Sequence, residues 1–166
     1  HQDKAQHGLK KSGGSGTAAG HGTAEKGKLK FTPTSGDTSM QQFADSNGGT
    51  AEERQFLLQI ANAAKVLLEE RYSSKGWTNN VAGSLAFFIV SNMTVYAGKE
   101  PSETSQQVLF EALDTTLSQS PEFTATANHD RQAIYNTLIA YSGFPMVLYA
   151  EGAQKGDKTQ IQKART

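Results

Sequence analysis

The run Val81–Ala97 carries no charged residue, and few folds can accommodate such a segment. It is too long for one strand of a small sheet, and it ends at Gly98, a helix-stopping residue. Thr78 or Asn79 stands where a cap belongs. A membrane span is one reading, since roughly 17–25 apolar residues suffice for a helix to cross. Gly83, Ser84, Ser91, Asn92 and Thr94 dilute the run, however, and no basic anchor flanks its start. The simpler reading is the central helix of a bundle, shielded by its neighbours on nearly every side.

Other helices are legible around it. Thr50-Ala51-Glu52-Glu53 forms a capping box, opening a helix over about 51–72 that ends before Lys75-Gly76. Its stripe of Phe56, Leu57, Ile60, Ala61, Ala64, Leu67 and Leu68 recurs at helical spacing. Burying each large member is worth about 1.5–3 kcal/mol before entropy is charged. Pro101-Ser102 and Ser120-Pro121 bracket a third helix over about 103–119. Asn128 caps a fourth, with Ala133, Ile134, Leu138, Ile139 and Tyr141 inward. Gly143-Phe144-Pro145 predicts a kink or break in it, because Pro145 removes a backbone donor. Asp157 caps a last fragment. Phe123–Thr126 alternates, but it is short and has nothing to pair with. With no internal repeat, the fold class is all-α: an irregular bundle of four to five helices with a disordered N-terminal tail.

Composition separates that tail from the rest. Lys+Arg 16 balances Asp+Glu 16, a total that points to no nucleic-acid partner. Within residues 1–30, however, six lysines face only Asp3 and Glu25, leaving the remainder correspondingly acidic. Leu9 and Leu29 are the only large apolar residues there, too few to offset about 1–2 kcal/mol of ordering cost per residue. Residues 1–49 therefore read as a basic, Gly/Ser/His-containing tail and linker, with Phe31, Pro33, Met40 and Phe43 able to lie on a surface groove. Residues 50–166 read as the helical domain. The first residue is His1, not Met, and no apolar leader run follows. A processed mature chain, or a piece of a longer one, is the expected form.

The motif Asn79-Asn80-Val81-Ala82, the helix closing on Val95-Tyr96-Ala97-Gly98, and the stretch from Asp130-Arg131-Gln132 to Gly156-Asp157 resemble a family of uncharacterised, exported bacterial helical proteins. That resemblance covers roughly residues 50–166. It implies helices, a bacterial source and a secreted or periplasmic location, and it brings no catalytic residues with it.

Candidate chemistry is sparse. Cys is 0, so disulfides, thiolate metal sites and Cys nucleophiles are excluded. No metal-ligand spacing occurs in the folded part, and no cofactor is implied. His1, His7 and His21 sit on a Gly-rich tether, where preorganised metal binding is not expected. Glu52/Glu53 and Glu69/Glu70 are paired carboxylates, but they fall in a first and a last helical turn, where charge is ordinary. Asn92-Met93-Thr94 matches a glycosylation sequon inside a helix. His129 is the one His of the folded part. Asp130 beside it does not face it on a helix, so polar first-turn capping explains both. Ser84, Ser91, Asn92, Gln132 and Asn136 read as polar groups bonded across the bundle. In the sharper reading, His129, Gln132 and Asn136 line a ligand cleft walled by Trp77 or Tyr96.

The expected function is a non-enzymatic exported domain with an interaction or structural role and an unidentified protein partner. The basic tail would add weak attraction to anionic surfaces. A small hydrophobic-ligand or lipid carrier is the first alternative, and a hydrolase using His129 the second.

Overall fold

The computed structural model describes residues 26–155 and 163–165. Six α-helices follow in order: α1 (Ser39–Asn47), α2 (Ala51–Tyr72), α3 (Val81–Ala97), α4 (Glu103–Ser118), the short α5 (Pro121–Thr124) and α6 (Asn128–Lys155). A single 3-10 turn, Ser73–Lys75, follows α2. The fold is all-α, and among the described residues extended pairing is confined to an isolated antiparallel bridge between Lys30 and Asn80. No helix among them is long and apolar enough to cross a membrane.

Helix boundaries follow local chemistry. The Thr50 hydroxyl accepts from the Glu53 amide at 3.1 Å, and the Glu53 carboxylate receives the Thr50 amide at 3.3 Å, completing the capping box. Ser102 caps α4 by accepting from Ser105 N. At α3 the cap is Asn80, one residue beyond the expected pair: its Oδ1 accepts from Ala82 N at 3.0 Å. Asn79 lies at φ 53 instead, in the left-handed region that Asn tolerates better than most residues. Gly98, at φ 75, ends α3 in the same conformation.

α6 packs against α1, α2 and α3, and α3 packs against α6 and α4. The hub is therefore shared, and α6 touches the larger number of partners. Ten α3 residues, from Val81 to Val95, are buried. Its last turns are wetter, with Asn92, Met93, Tyr96 and Ala97 exposed. Trp77 occupies the centre, stacked on Tyr72 at 4.0 Å and against Phe110 at 5.4 Å. Gly83 makes room for it: a Cβ there would lie 2.1 Å from the Trp77 carbonyl oxygen.

Several expectations need correction. The packed unit starts well before Thr50: Leu29, Phe31, Met40 and Phe43 are all buried, and α1 lies on α2 and α6. In α2, Ile60, Ala61, Ala64 and Leu68 of the expected stripe are buried, but Phe56 and Leu67 are 48% and 41% exposed, and Tyr72 is buried instead. In α6, Ile134 and Tyr141 point toward solvent, while Tyr135, Ile139 and the amides Gln132 and Asn136 are buried. Ile139 and the two amides are buried as expected, whereas the inward position expected of Ile134 and Tyr141 is taken by Tyr135. α6 also continues through Pro145 without a break. Gly143 lets it press on α2, where a Cβ would meet Ala64 Cβ at 2.9 Å. The Phe123–Thr126 stretch enters a short helix started by Pro121. Residues 1–25 of the tail expected over 1–49, and the Asp157 cap, lie outside the described residues.

Candidate functional site

The main polar feature is a fastening between residues 27–39, which we call the strap, and the first half of α6. Asn128, Gln132 and Asn136 recur at four-residue spacing and so share one face of that helix. Asn128 does not cap α6, because both ends of its amide are used on the strap. Its Oδ1 accepts from Thr32 N at 2.8 Å, and its Nδ2 donates to Thr32 O at 2.8 Å. Gln132 repeats this at Thr34, accepting from the backbone N–H at 3.0 Å and donating to the carbonyl at 3.2 Å. It also accepts from the Thr34 hydroxyl at 3.0 Å.

Pitch makes the repetition possible. Four helical residues advance about 6 Å, and two extended residues advance about 6.6 Å. Each amide therefore meets every second strap residue and satisfies its backbone as a neighbouring strand would. Asn136 ends the row differently, donating to Asp37 Oδ2 at 2.8 Å and to Ser39 Oγ at 2.9 Å. Its own Oδ1 is buried without a partner.

The strap's other end is held in the same manner. Gly27 N donates to both Asp114 carboxylate oxygens at 3.2 and 3.0 Å, and Lys28 N to Ser118 Oγ at 3.2 Å. Phe31 N reaches Asn79 O at 3.0 Å, and Leu29 O receives Val81 N at 3.1 Å. Arg131 donates to Lys30 O at 3.0 Å and to Thr124 O at 2.7 Å. Leu29 and Phe31 point inward, Phe31 edge-on to Tyr135 at 5.0 Å, while Lys26, Lys28 and Lys30 are exposed. Asp114 and Ser118, both buried, were not singled out from the sequence. The signal was the alternation Lys26-Gly27-Lys28-Leu29-Lys30-Phe31, which has strand period but sits in a stretch whose composition argues against structure.

The five candidate ligand residues do not gather. Gln132 and Asn136 belong to the fastening. His129 is exposed near them, on a polar cleft of about 350 Å³ that Thr34, Asp37, Thr38 and Ser39 also line. Its Nε2 lies 3.3 Å from Asp130 Oδ1. Trp77 is fully buried in the aromatic stack, and its Nε1–H finds no acceptor. Tyr96 is 75% exposed on the open side of α3, beside Met93 and Arg165. The Ser84 hydroxyl donates to Val81 O within its own helix, and Asn92 donates to Phe88 O. Neither bonds across the bundle.

Apolar concavities occur elsewhere, along the seam of α2 and α6. One of about 130 Å³ is lined by Ile60, Ala63, Leu67, Phe87, Met146 and Val147, among others. A second, of about 310 Å³, is lined by Phe43, Asn47, Leu57, Tyr141, Phe144 and Pro145. Phe56, Tyr141 and Phe144 are 48%, 49% and 39% exposed. Among the described residues no group of His, Asp and Glu is arranged to hold a metal ion.

Residues 5–166 match a protein family described as a family of unknown function, DUF6683. No curated protein and no solved structure matches the chain.

Proposed function

The chain belongs to the DUF6683 family of unknown function, and from there we propose that it acts as a non-catalytic interaction domain outside the cytoplasm, offering its α2–α6 face to a protein partner. One observation carries the reading: two apolar grooves lie along that seam, and the larger is walled by the half-exposed rings of Tyr141 and Phe144. Exposed aromatic and apolar groups clustered beside grooves are what a docking surface requires. The polar side chains that suggest a ligand cleft in the sequence are engaged elsewhere, since Gln132 and Asn136 bind the strap. The absence of cysteine and the abundance of amide and hydroxyl residues support an exported, secreted or periplasmic chain.

The anionic dye 8-anilinonaphthalene-1-sulfonate tests the face. The native protein should enhance its fluorescence while remaining fully helical by circular dichroism. Tyr141→Ser combined with Phe144→Ser should remove most of that signal, since both rings wall the larger groove. No enhancement by the folded wild type would refute the docking face.

A small hydrophobic-ligand carrier is the second reading. It draws on the larger groove, whose 310 Å³ reaches the roughly 300 Å³ at which small-molecule sites begin. A hydrolase using His129 has less behind it. The buried hydroxyl lining its cleft, that of Ser39, donates to Asp37, whereas a nucleophile would give its proton to the imidazole.

A further inference from the structure

We infer that the trough formed by α4, the Asn79–Val81 segment and the first half of α6 is a binding groove for an extended segment, and that its occupant in trans is the strap of a second copy of this chain. This surface is separate from the α2–α6 face and does not depend on that face taking a partner. The inference starts from how the strap is held. From Gly27 to Thr32 every residue gives at least one backbone group to a side chain or backbone of the trough, and Thr34 gives two. Such bonds recognise extended main chain whatever its side chains, as strand-addition sites do. Selectivity rests on two inward anchors, Leu29 and Phe31, which are 1% and 8% exposed.

The segment that meets both demands is the one already seated there, and every copy of the chain carries it. Release needs little rearrangement. Ser35 and Gly36 form an exposed turn between the backbone-bonded residues 27–34 and the Asp37–Ser39 anchor of α1, and a Cβ at Gly36 would meet nothing within 4 Å. Opening that turn frees residues 27–34 while Asp37 and Ser39 stay bonded to Asn136 and α1 stays on α2 and α6. A tethered strap competes at an effective concentration of roughly millimolar, so the closed monomer prevails in dilute solution. Exchange between copies emerges when the strap in cis is weakened or the protein is concentrated.

Two complementary full-length variants test this. Leu29→Ala with Phe31→Ala removes the anchors and weakens the strap's hold on an otherwise intact trough. Asn128→Ala with Gln132→Ala removes two rungs of the trough and frees an intact strap. Each alone should sediment as a monomer, and an equimolar mixture should form a heterodimer at tens of micromolar. A mixture that stays monomeric while both variants retain helical circular dichroism overturns the inference. Should either variant fail to fold, amide hydrogen exchange on the wild type decides. The Phe31, Thr32 and Thr34 amides should exchange at least tenfold faster than those around Ile139, through opening of the strap alone. Exchange of both sets at one common global rate means the strap does not detach, and the inference falls.

Discussion

Replacing Gly83 by Ala inserts one methyl group into the tightest contact of the bundle. The new Cβ would lie 2.1, 2.5 and 2.6 Å from the carbonyl oxygen, Cα and carbonyl carbon of Trp77. All three are backbone atoms, so no side-chain rotation relieves the clash, and the chain must move by more than about 1 Å to restore ordinary contact. Residue 77 carries the ring stacked between Tyr72 and Phe110, and each such pairing contributes about 0.5–1.5 kcal/mol. Overpacking a core costs about 1–3 kcal/mol, and more against a rigid obstacle. Helix propensity returns only about 0.5–1 kcal/mol when Gly becomes Ala. The net effect should be a loss of about 3 kcal/mol, or about 6–12 °C in Tm for a chain of this length. Thermal melts at 222 nm measure the loss, and near-ultraviolet circular dichroism of the single Trp should weaken at the same time. Gly36→Ala is the control, with open space around the added methyl and no expected change. A Gly83→Ala protein as stable as wild type would refute the packing argument.

Tyr72→Phe removes the buried hydrogen bond to Gln106 Oε1 at 2.7 Å and should lower stability by about 1–2 kcal/mol in denaturant unfolding; an unchanged midpoint would contradict that bond. Asp114→Ala leaves the Gly27 amide without its acceptor and should cost about 1–3 kcal/mol, with amide exchange at Gly27 and Lys28 accelerating before that of the core. Glu100 is paired with Arg71, whose guanidinium holds its carboxyl below the usual 4.5. A depressed carboxylate stabilises above its unfolded pKa and ceases to as pH falls through its folded pKa. Glu100→Gln should therefore lose a fraction of a kcal/mol at neutral pH, since both partners are about 40% exposed, and nothing at pH 2. Burial raises the Tyr72 and Tyr135 phenols above the ordinary 10.0. Stability should hold below that pH and fall as pH climbs past it, because unfolding then releases protons; a flat alkaline profile to pH 12 would contradict this.

Helix starts were legible where a side chain caps its own helix. Thr50 and Ser102 did so, and α2 and α4 begin where their caps indicate. Caps serving a distant segment were not. Asn128 stands at the start of α6 as a cap would, but its amide goes to Thr32, far away in sequence. The same long-range demand placed Asn79 in the left-handed region, because its carbonyl must face Phe31 N. Burial of Gln132 and Asn136 on α6 was legible, but their partner, the strap, was not. Apolar periodicity locates a face that packs on other apolar groups, whereas this face packs on backbone and needs amides. The candidate site failed at Trp77 and Tyr96, whose residue type suits either a ligand wall or a core. Trp77 follows the 3-10 turn and Gly76, at φ 81, and enters the interior between Tyr72 and Phe110.

The row of amides on α6 behaves as a vernier. Its two scales differ by about 0.6 Å per rung, the gap between four helical and two extended residues. The first two rungs absorb the difference within the latitude of a hydrogen bond. At the third rung the chain turns at Ser35 and Gly36, and Asn136 engages side chains of Asp37 and Ser39 instead. A straight helix can clasp an extended chain in this way for only two or three steps. Lengthening the clasp in an engineered variant would call for a locally stretched helix or for graded side-chain reach, shorter amides giving way to longer ones along the row.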